Sequence, residues 1–279
     1  MSPIQTLLII VAMEAEATPM IEALGLQVSS HGRGGRRDDH HPPPFSYPPT
    51  YLSLSLSGHV QKVEPSPITG PAPCIIFKGH RNGLTVHLVT NGKCRINGVD
   101  LVGTVPAALA AYLSIEATKP DLVINAGTAG GFHGMGGAIG DVYLTTSVAN
   151  HDRRIQIPGF DVYGVGEFTC TPTERLRAAM GFKAGAVSTG NSLDWNEDDM
   201  KMLKANHASV KEMEAGAIGW ACSLYQIPFF CIKSITDIVD GGKPTHEEFL
   251  ENLHKSALAL QSAVPAVVDW IKDKTIEQL

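Results

Sequence analysis

The sequence predicts a single α/β domain with a central mixed β-sheet flanked by helices. Three observations carry the prediction. Segments of strand character alternate with segments of helical spacing. Several strands are uninterrupted apolar runs, as in strands covered on both faces. An Asn82-Gly83 pair between two such runs is a hairpin signal, which adds an antiparallel pair to the sheet. At 279 residues the chain is long enough to bury a sizeable core, and it shows no internal repeat.

The elements follow in order. Residues 5–11 form the first buried strand, and Met13-Glu14-Ala15-Glu16 closes it. The spacing of Met20, Ile21 and Leu24 then predicts a helix with Pro19 in its first turn. Strands are expected over 74–78 and 84–90, on either side of the hairpin turn. Asn97-Gly98 leads into a helix over 99–118, with Val102, Val105, Ala108, Leu109 and Leu113 inward and a kink at Pro106. A strand over 121–125 runs into Ala126-Gly127-Thr128-Ala129-Gly130-Gly131, read as a turn whose backbone N–H groups can approach a ligand.

Further strands are expected over 140–148 and 184–188. Between them lie a charged, solvated edge at 151–154 and a short helix over 171–180. Residues 208–210 form a short strand. Residues 215–225 form a helix, with Ala217, Ile218, Ala221 and Leu224 at helical spacing. A strand over 228–235 ends in Thr236-Asp237. Thr245-x-x-Glu248 reads as a capping box that opens a C-terminal helix, with Phe249, Leu253, Leu258 and Val264 inward.

Residues 27 to about 75 break the pattern. They hold nine of the eighteen prolines, a Gly/Arg cluster at Arg33, Arg36 and Arg37, and a Ser/Leu alternation, with no helical periodicity. A structureless loop of that length inside a compact domain is uncommon. Its composition argues for a disordered insertion at about 27–60 within one domain spanning 1–279.

Composition narrows the function classes. Charged residues are 18% of the chain, hydrophobic ones 43%, and the net charge is −6. That balance fits a globular protein with no nucleic-acid or membrane-surface footprint. No apolar run reaches the roughly 20 residues of a membrane span, and Met1-Ser2-Pro3-Ile4-Gln5 lacks the basic start of a signal peptide. The five cysteines (74, 94, 170, 222 and 231) are odd in number and form no CxxC. Reduced thiols in a cytoplasmic protein are expected. No metal-site pattern is present.

The residues with chemistry to offer sit at strand ends. Lys211-Glu212-Met213-Glu214-Ala215 lies at a strand-to-helix turn, where open α/β sheets keep their ligand crevice. In extended chain Glu212 and Glu214 point to one side and Met213 to the other. A carboxylate there can accept hydrogen bonds from a sugar diol, and the thioether offers an apolar, polarizable contact. Taken alone, a solvated acidic turn beside a core methionine accounts for the same residues. Glu16 lies at a second strand-to-helix junction. Carboxylates near a helix start are favoured by its dipole without any catalysis, and Glu14 is read that way. Asp237 alone is equally a turn aspartate at a strand end.

Together the four strand ends are more specific. If they share one edge of the sheet, Glu16, Thr128 with its glycines, Met213/Glu214 and Asp237 converge. One carboxylate can deprotonate a water, another can accept from a ribose diol, and a third, protonated, can donate to a leaving-group nitrogen. That set cleaves an N-glycosidic bond through an oxocarbenium-like transition state, by the two-carboxylate logic of glycosidases. Burial raises a carboxyl pKa and would keep Asp237 protonated.

The ordered runs AMEAE (12–16), NAGTAGG (125–131), EMEA (212–215) and SITD (234–237) resemble the nucleoside phosphorylase/nucleosidase superfamily. Within it the chain resembles the 5′-methylthioadenosine/S-adenosylhomocysteine nucleosidases. HDRRIQIP (151–158), STGNSLD (188–194) and TDIVDGGKPT (236–245) are similar to the plant-type branch. The resemblance covers 4–28 and about 62–272, and leaves the 27–60 stretch without a counterpart. That stretch is either an unremoved intervening sequence or a regulatory insertion.

The resemblance implies roles. Glu16 matches the base that activates water, and Asp237 the acid that donates to purine N7. Glu214 matches the acceptor of the ribose hydroxyls. Met213 matches a residue packed on the sugar, and Thr128 a hydroxyl near sugar and water. Ala129 and Gly130 flank it, Lys211 and Glu212 fall in the substrate-binding segment, and Leu193 stands in the base pocket. Lys233 stands where bacterial relatives carry an arginine near the base. The resemblance also implies a homodimer that needs no cofactor and prefers methylthioadenosine. A phosphorylase is the alternative, but Asn125 stands where those relatives carry an arginine for phosphate. A non-catalytic nucleoside-binding protein is a second alternative, against which both Glu16 and Asp237 are present.

Overall fold

A computed structural model describes residues 2–29 and 66–279. The first strand, β1 (Thr6–Val11), is followed by α1 (Glu14–Leu24) and a two-residue strand, β2 (Gln27–Val28). The hairpin β3 (Ile75–Arg81) and β4 (Leu84–Thr90) turns at Asn82-Gly83, both at positive φ. Next come α2 (Thr104–Thr118), β5 (Leu122–Gly131) and β6 (Val142–Asn150). The short α3 (Asp161–Val165), β7 (Phe168–Thr169) and α4 (Glu174–Met180) precede β8 (Lys183–Thr189) and α5 (Glu197–Ala205). The chain closes with β9 (Ala208–Glu212), α6 (Ala215–Tyr225), β10 (Phe229–Ile238) and α7 (Thr245–Ile271).

All ten strands join one mixed sheet in the order β10-β6-β8-β9-β5-β1-β4-β3-β2, with β7 paired to β6. β10 pairs with β5 as well as with β6, so β5, β9, β8, β6 and β10 close into a five-stranded ring. The apolar run of β1 is buried from Leu7 to Val11 because β4 and β5 flank it on both edges and helices cover both faces. The expected single α/β domain with a mixed sheet is the observed fold.

Several local expectations change. The glycine-rich run after residue 125 is the second half of β5, not a turn, because β10 carries it in parallel register as far as Gly131. α2 begins at Thr104, so Pro106 sits in the first turn, where its missing N–H breaks no helix bond. Pro19, by contrast, is inside α1 and not in its first turn. α2 buries its small residues, Ala107, Ala110, Ala111 and Ser114, while Val102, Val105 and Leu109 stay exposed. The Thr245/Glu248 capping box does not form, since Pro244 is the cap residue and Glu248 bonds elsewhere. Leu258 of α7 faces out and Leu260 takes its place in the core.

The 151–154 edge is also not simply solvated. His151 is buried, with Nδ1 3.2 Å from Ser188 Oγ, and Arg154 is ion-paired with Asp199. α5 was not expected. Its signal was Asn196 with Asp199 three residues on, which form a capping box. Gln27 and Val28 pair with β3, and residues 30–60 of the expected insertion lie outside the described residues. Among the described residues no helix is long and apolar enough to cross a membrane.

Candidate active site

The strands β1, β5, β9 and β10 deliver their carboxyl-terminal residues to one cavity of about 230 Å³. All ten positions singled out from the sequence line it: Glu16, Thr128, Ala129, Gly130, Leu193, Lys211, Glu212, Met213, Glu214 and Asp237. Glu14 does not. It pairs with Lys93 at the rim of α1, in line with a plain helix-start carboxylate.

Glu16 is the third residue of α1 and is 2% exposed. Its Oε1 accepts from the Thr128 backbone N–H and from Thr128 Oγ1, both at 2.6 Å, and Oε2 accepts from Met13 N–H at 3.3 Å. Burial pushes its pKa up, against the Thr128 hydrogen bonds and the Lys233 charge. Gly127 lies beside this carboxylate, where a Cβ would make ordinary contact with both Glu16 oxygens at 3.4–3.5 Å.

Asp237 is 3% exposed and sits just past a bulge in β10. Ile235 pairs with Ala129 and Asp237 with Gly130, so Thr236 is the extra residue. The Thr236 hydroxyl donates to Asp237 Oδ1 at 2.8 Å. Burial raises the Asp237 pKa, partly offset by that bond and by the Lys211 charge. A Cβ on Gly130 would lie 2.7 Å from Asp237 Oδ2, so only glycine lets this carboxyl lie against β5.

Glu212 and Glu214 have different surroundings. Glu212 ends β9 and accepts from Lys233 Nζ at 2.9 Å, from the N–H groups of Glu214 and Ala215 at 2.9 and 2.8 Å, and from the Thr189 hydroxyl. Burial alone would raise its pKa, but Lys233 and these donors hold it below the ordinary value. It is a strut at the start of α6. Glu214 accepts a bond from the Gly103 N–H at 2.7 Å. Burial, and then the Glu212 charge, push its pKa up to about 7. Strand geometry stops at Glu212, so the expected alternation fails: Met213 lines the same cavity as both glutamates. Lys211 Nζ donates to the carbonyls of Ser192 and Leu193 at 2.8 and 2.9 Å, which holds the loop that carries Leu193.

The profile of the phosphorylase superfamily matches residues 61–269. A 5′-methylthioadenosine/S-adenosylhomocysteine nucleosidase of Arabidopsis thaliana is 40% identical over 99% of this chain and 96% of its own length. The chain belongs to this nucleosidase family. A 5′-methylthioadenosine nucleosidase of Arabidopsis thaliana is 36% identical over 99% of this chain and 91% of its own length. The apo structure of an Arabidopsis thaliana 5′-methylthioadenosine nucleosidase superposes with a TM-score of 0.85 at 36% identity, covering 99% of this chain and all of that one.

Further residues complete this nucleosidase-family site; the resemblance already points to Lys233 and Asn125, and the others carry no expected role in it. Val102, Asn125, Lys233, Thr236 and Phe249 also line the cavity. Val102 and Phe249 were read as core-facing helix residues, and apolar spacing does not separate a core face from a cavity wall. Asn125 donates from Nδ2 to the Ile10 carbonyl at 3.0 Å, while its buried Oδ1 has no protein partner. Lys233 is a fully buried cation in a strand whose first four residues are apolar, a mismatch that marks it beside the resemblance.

Proposed function

We propose that the chain is an N-glycosyl hydrolase that releases adenine from 5′-methylthioadenosine, leaving 5-methylthioribose, and also cleaves S-adenosylhomocysteine. The reaction fits methionine salvage. One observation carries the assignment of roles. Glu16 and Asp237 are both buried against the glycines of β5, but they are supplied with unequal numbers of donors. Glu16 accepts three hydrogen bonds and Asp237 accepts one. Donors favour the ionised form, so Glu16 is the better base and Asp237 the better acid.

Asp237 donates to purine N7, so that adenine leaves neutral, a contribution of roughly 10²–10⁴-fold. Glu16 takes the proton of the attacking water. Glu214 accepts from the ribose hydroxyls, Met213 packs on the sugar and Leu193 on the base. Thr128 holds Glu16, while the backbone of Ala129 and Gly130 forms the wall beside Asp237. Lys211 fixes the loop of Leu193, and Glu212 fixes the turn that presents Met213 and Glu214. Water is favoured over phosphate as the nucleophile. Among the described residues no arginine lines the cavity, Lys233 is paired with Glu212, and Lys211 is taken up by two carbonyls.

The outward apolar side chains of α2 and α6, among them Val105, Leu109, Tyr112, Trp220 and Leu224, support a homodimer built on this face. Five free cysteines, four of them buried, support a cytoplasmic location.

The test is adenine release from methylthioadenosine by the purified chain, with and without phosphate, with S-adenosylhomocysteine in parallel. Phosphate-independent release from both substrates is expected, with Asp237→Asn and Glu16→Gln each losing at least about 10²-fold. Strict dependence on phosphate would make the enzyme a phosphorylase.

A further inference from the structure

Glu248 lies in the first turns of α7, and its carboxylate leaves the helix. Oε2 accepts the Ile238 N–H at 2.7 Å, one residue after Asp237. Among the described residues that N–H has no other partner. β6 and the residues leading into it bond to β10 as far as Ile235, so among the described residues the edge of β10 beyond the Thr236 bulge has no neighbouring strand. On the other edge, Val239 N–H donates to the Gly131 carbonyl at 2.8 Å. The bulge that turns Asp237 toward the cavity is thus held by β5 on one side; on the other, Gly140 N–H and Ser256 Oγ hold the Ile235 carbonyl before the bulge, and the Glu248 carboxylate holds the Ile238 N–H after it. The next residue of α7, Phe249, lines the cavity itself.

We propose that Glu248 is a positioning residue for Asp237, standing in for the missing strand and keeping the acid aimed at the leaving group. The proposal rests on the assignment of Asp237 as the acid. The charged groups facing Asp237 are Lys211 from β9 and Glu248 from α7, and β5 presents only Gly130. Asp240, in the following loop, is turned away to the N–H groups of His133 and Gly134. The Glu248 charge raises the Asp237 pKa and the Lys211 charge lowers it. Glu248 therefore acts on Asp237 in two separable ways, by a hydrogen bond that fixes its direction and by a charge that helps it keep its proton.

Glu248→Ala removes both effects, and Glu248→Gln keeps an acceptor oxygen while removing the charge. Each variant is assayed on methylthioadenosine across pH and on the p-nitrophenyl glycoside of 5-methylthioribose, whose phenolate leaves without a proton. Glu248→Ala is expected to lower kcat on methylthioadenosine about 10- to 100-fold with little change in KM. It should spare the nitrophenyl substrate. Glu248→Gln should recover most of kcat at low pH, with the basic limb of the profile moved to lower pH. Equal losses on both substrates, an unchanged kcat, or a basic limb that stays in place would overturn the proposal. Asp237→Asn is run beside them. If it spares the nitrophenyl substrate while Glu248→Ala does not, this proposal alone has failed. If Asp237→Asn loses both substrates equally, the acid assignment has failed.

Discussion

Glu214 carries a pH dependence that its neighbour two residues away does not share. Burial and the Glu212 charge raise its pKa to about 7, so in the native protein it holds its proton well above the range of an unfolded glutamate. Between about pH 4.5 and 7 the folded chain binds more protons than the unfolded chain, and stability falls as pH rises through that window. A shift of this size corresponds to about 3 kcal/mol. Glu214→Gln carries no such proton. In urea titrations at pH 4.5 and 8, the wild type is expected to lose about 3 kcal/mol relative to the Gln variant. Parallel pH slopes for the two proteins would show that Glu214 is ionised in the native state. Two diol hydroxyls donating to this carboxyl would favour its ionised form, so substrate binding near pH 7 releases a proton. The sequence located both glutamates but could not divide their roles. The partner that makes Glu212 a strut is Lys233, 21 residues on and on a different strand.

At the scale of elements, α2 shows which signals the sequence hides. Its bulky apolar residues predicted an inward face of Val105 and Leu109, but the protein buries alanines there instead. Ala107, Ala110 and Ala111 let α2 pack closely on the sheet and on α6, whose Gly219 is so near Phe229 and Val148 that a Cβ would meet them at 2.9–3.0 Å. The larger side chains are left outside, where Val105 is 79% exposed. An apolar face left exposed on one chain is what the proposed homodimer would cover. On that proposal the wild type is expected to sediment as a dimer and the double variant Val105→Asp, Leu109→Asp as a 29.8 kDa monomer. Unchanged sedimentation would remove this face from the interface. The same limit applies at α7, where Thr245 and Glu248 satisfy the capping-box pattern. Glu248 instead takes the stronger demand, an unpaired strand N–H beside the site. The fold class was legible because β1 and the opening residues of β5 and β10 are apolar runs. The convergence of their ends was legible only as a condition, since the ring that brings β10 beside β5 depends on pairings between strands about a hundred residues apart.

At the scale of the molecule, the strands that build the site are not those whose ends border the unusual segment in sequence. The cavity is built on β10, β5, β9 and β1, whereas the described residues before 30 end in β2 and those after 65 lead to β3, the two strands at one edge of the sheet. β2 is tied to β3 at Gln27 and Val28, so the core already fixes both approaches to the segment. The entropy of closing a flexible loop grows only with the logarithm of its length, about 0.6 kcal/mol per doubling. Replacing residues 31–60 with a four-residue Gly/Ser linker shortens the connection by nearly two doublings. The expected gain is about 1 kcal/mol, or a rise of about 2–4 °C in Tm. Turnover of methylthioadenosine should stay within about threefold, because no residue assigned a role lies in the replaced stretch. A collapse of kcat with Tm preserved would instead make the segment part of the catalytic unit. A collapse of both would make it part of the core. Calorimetry and the adenine-release assay on one linker variant therefore separate an appended segment from an integral one.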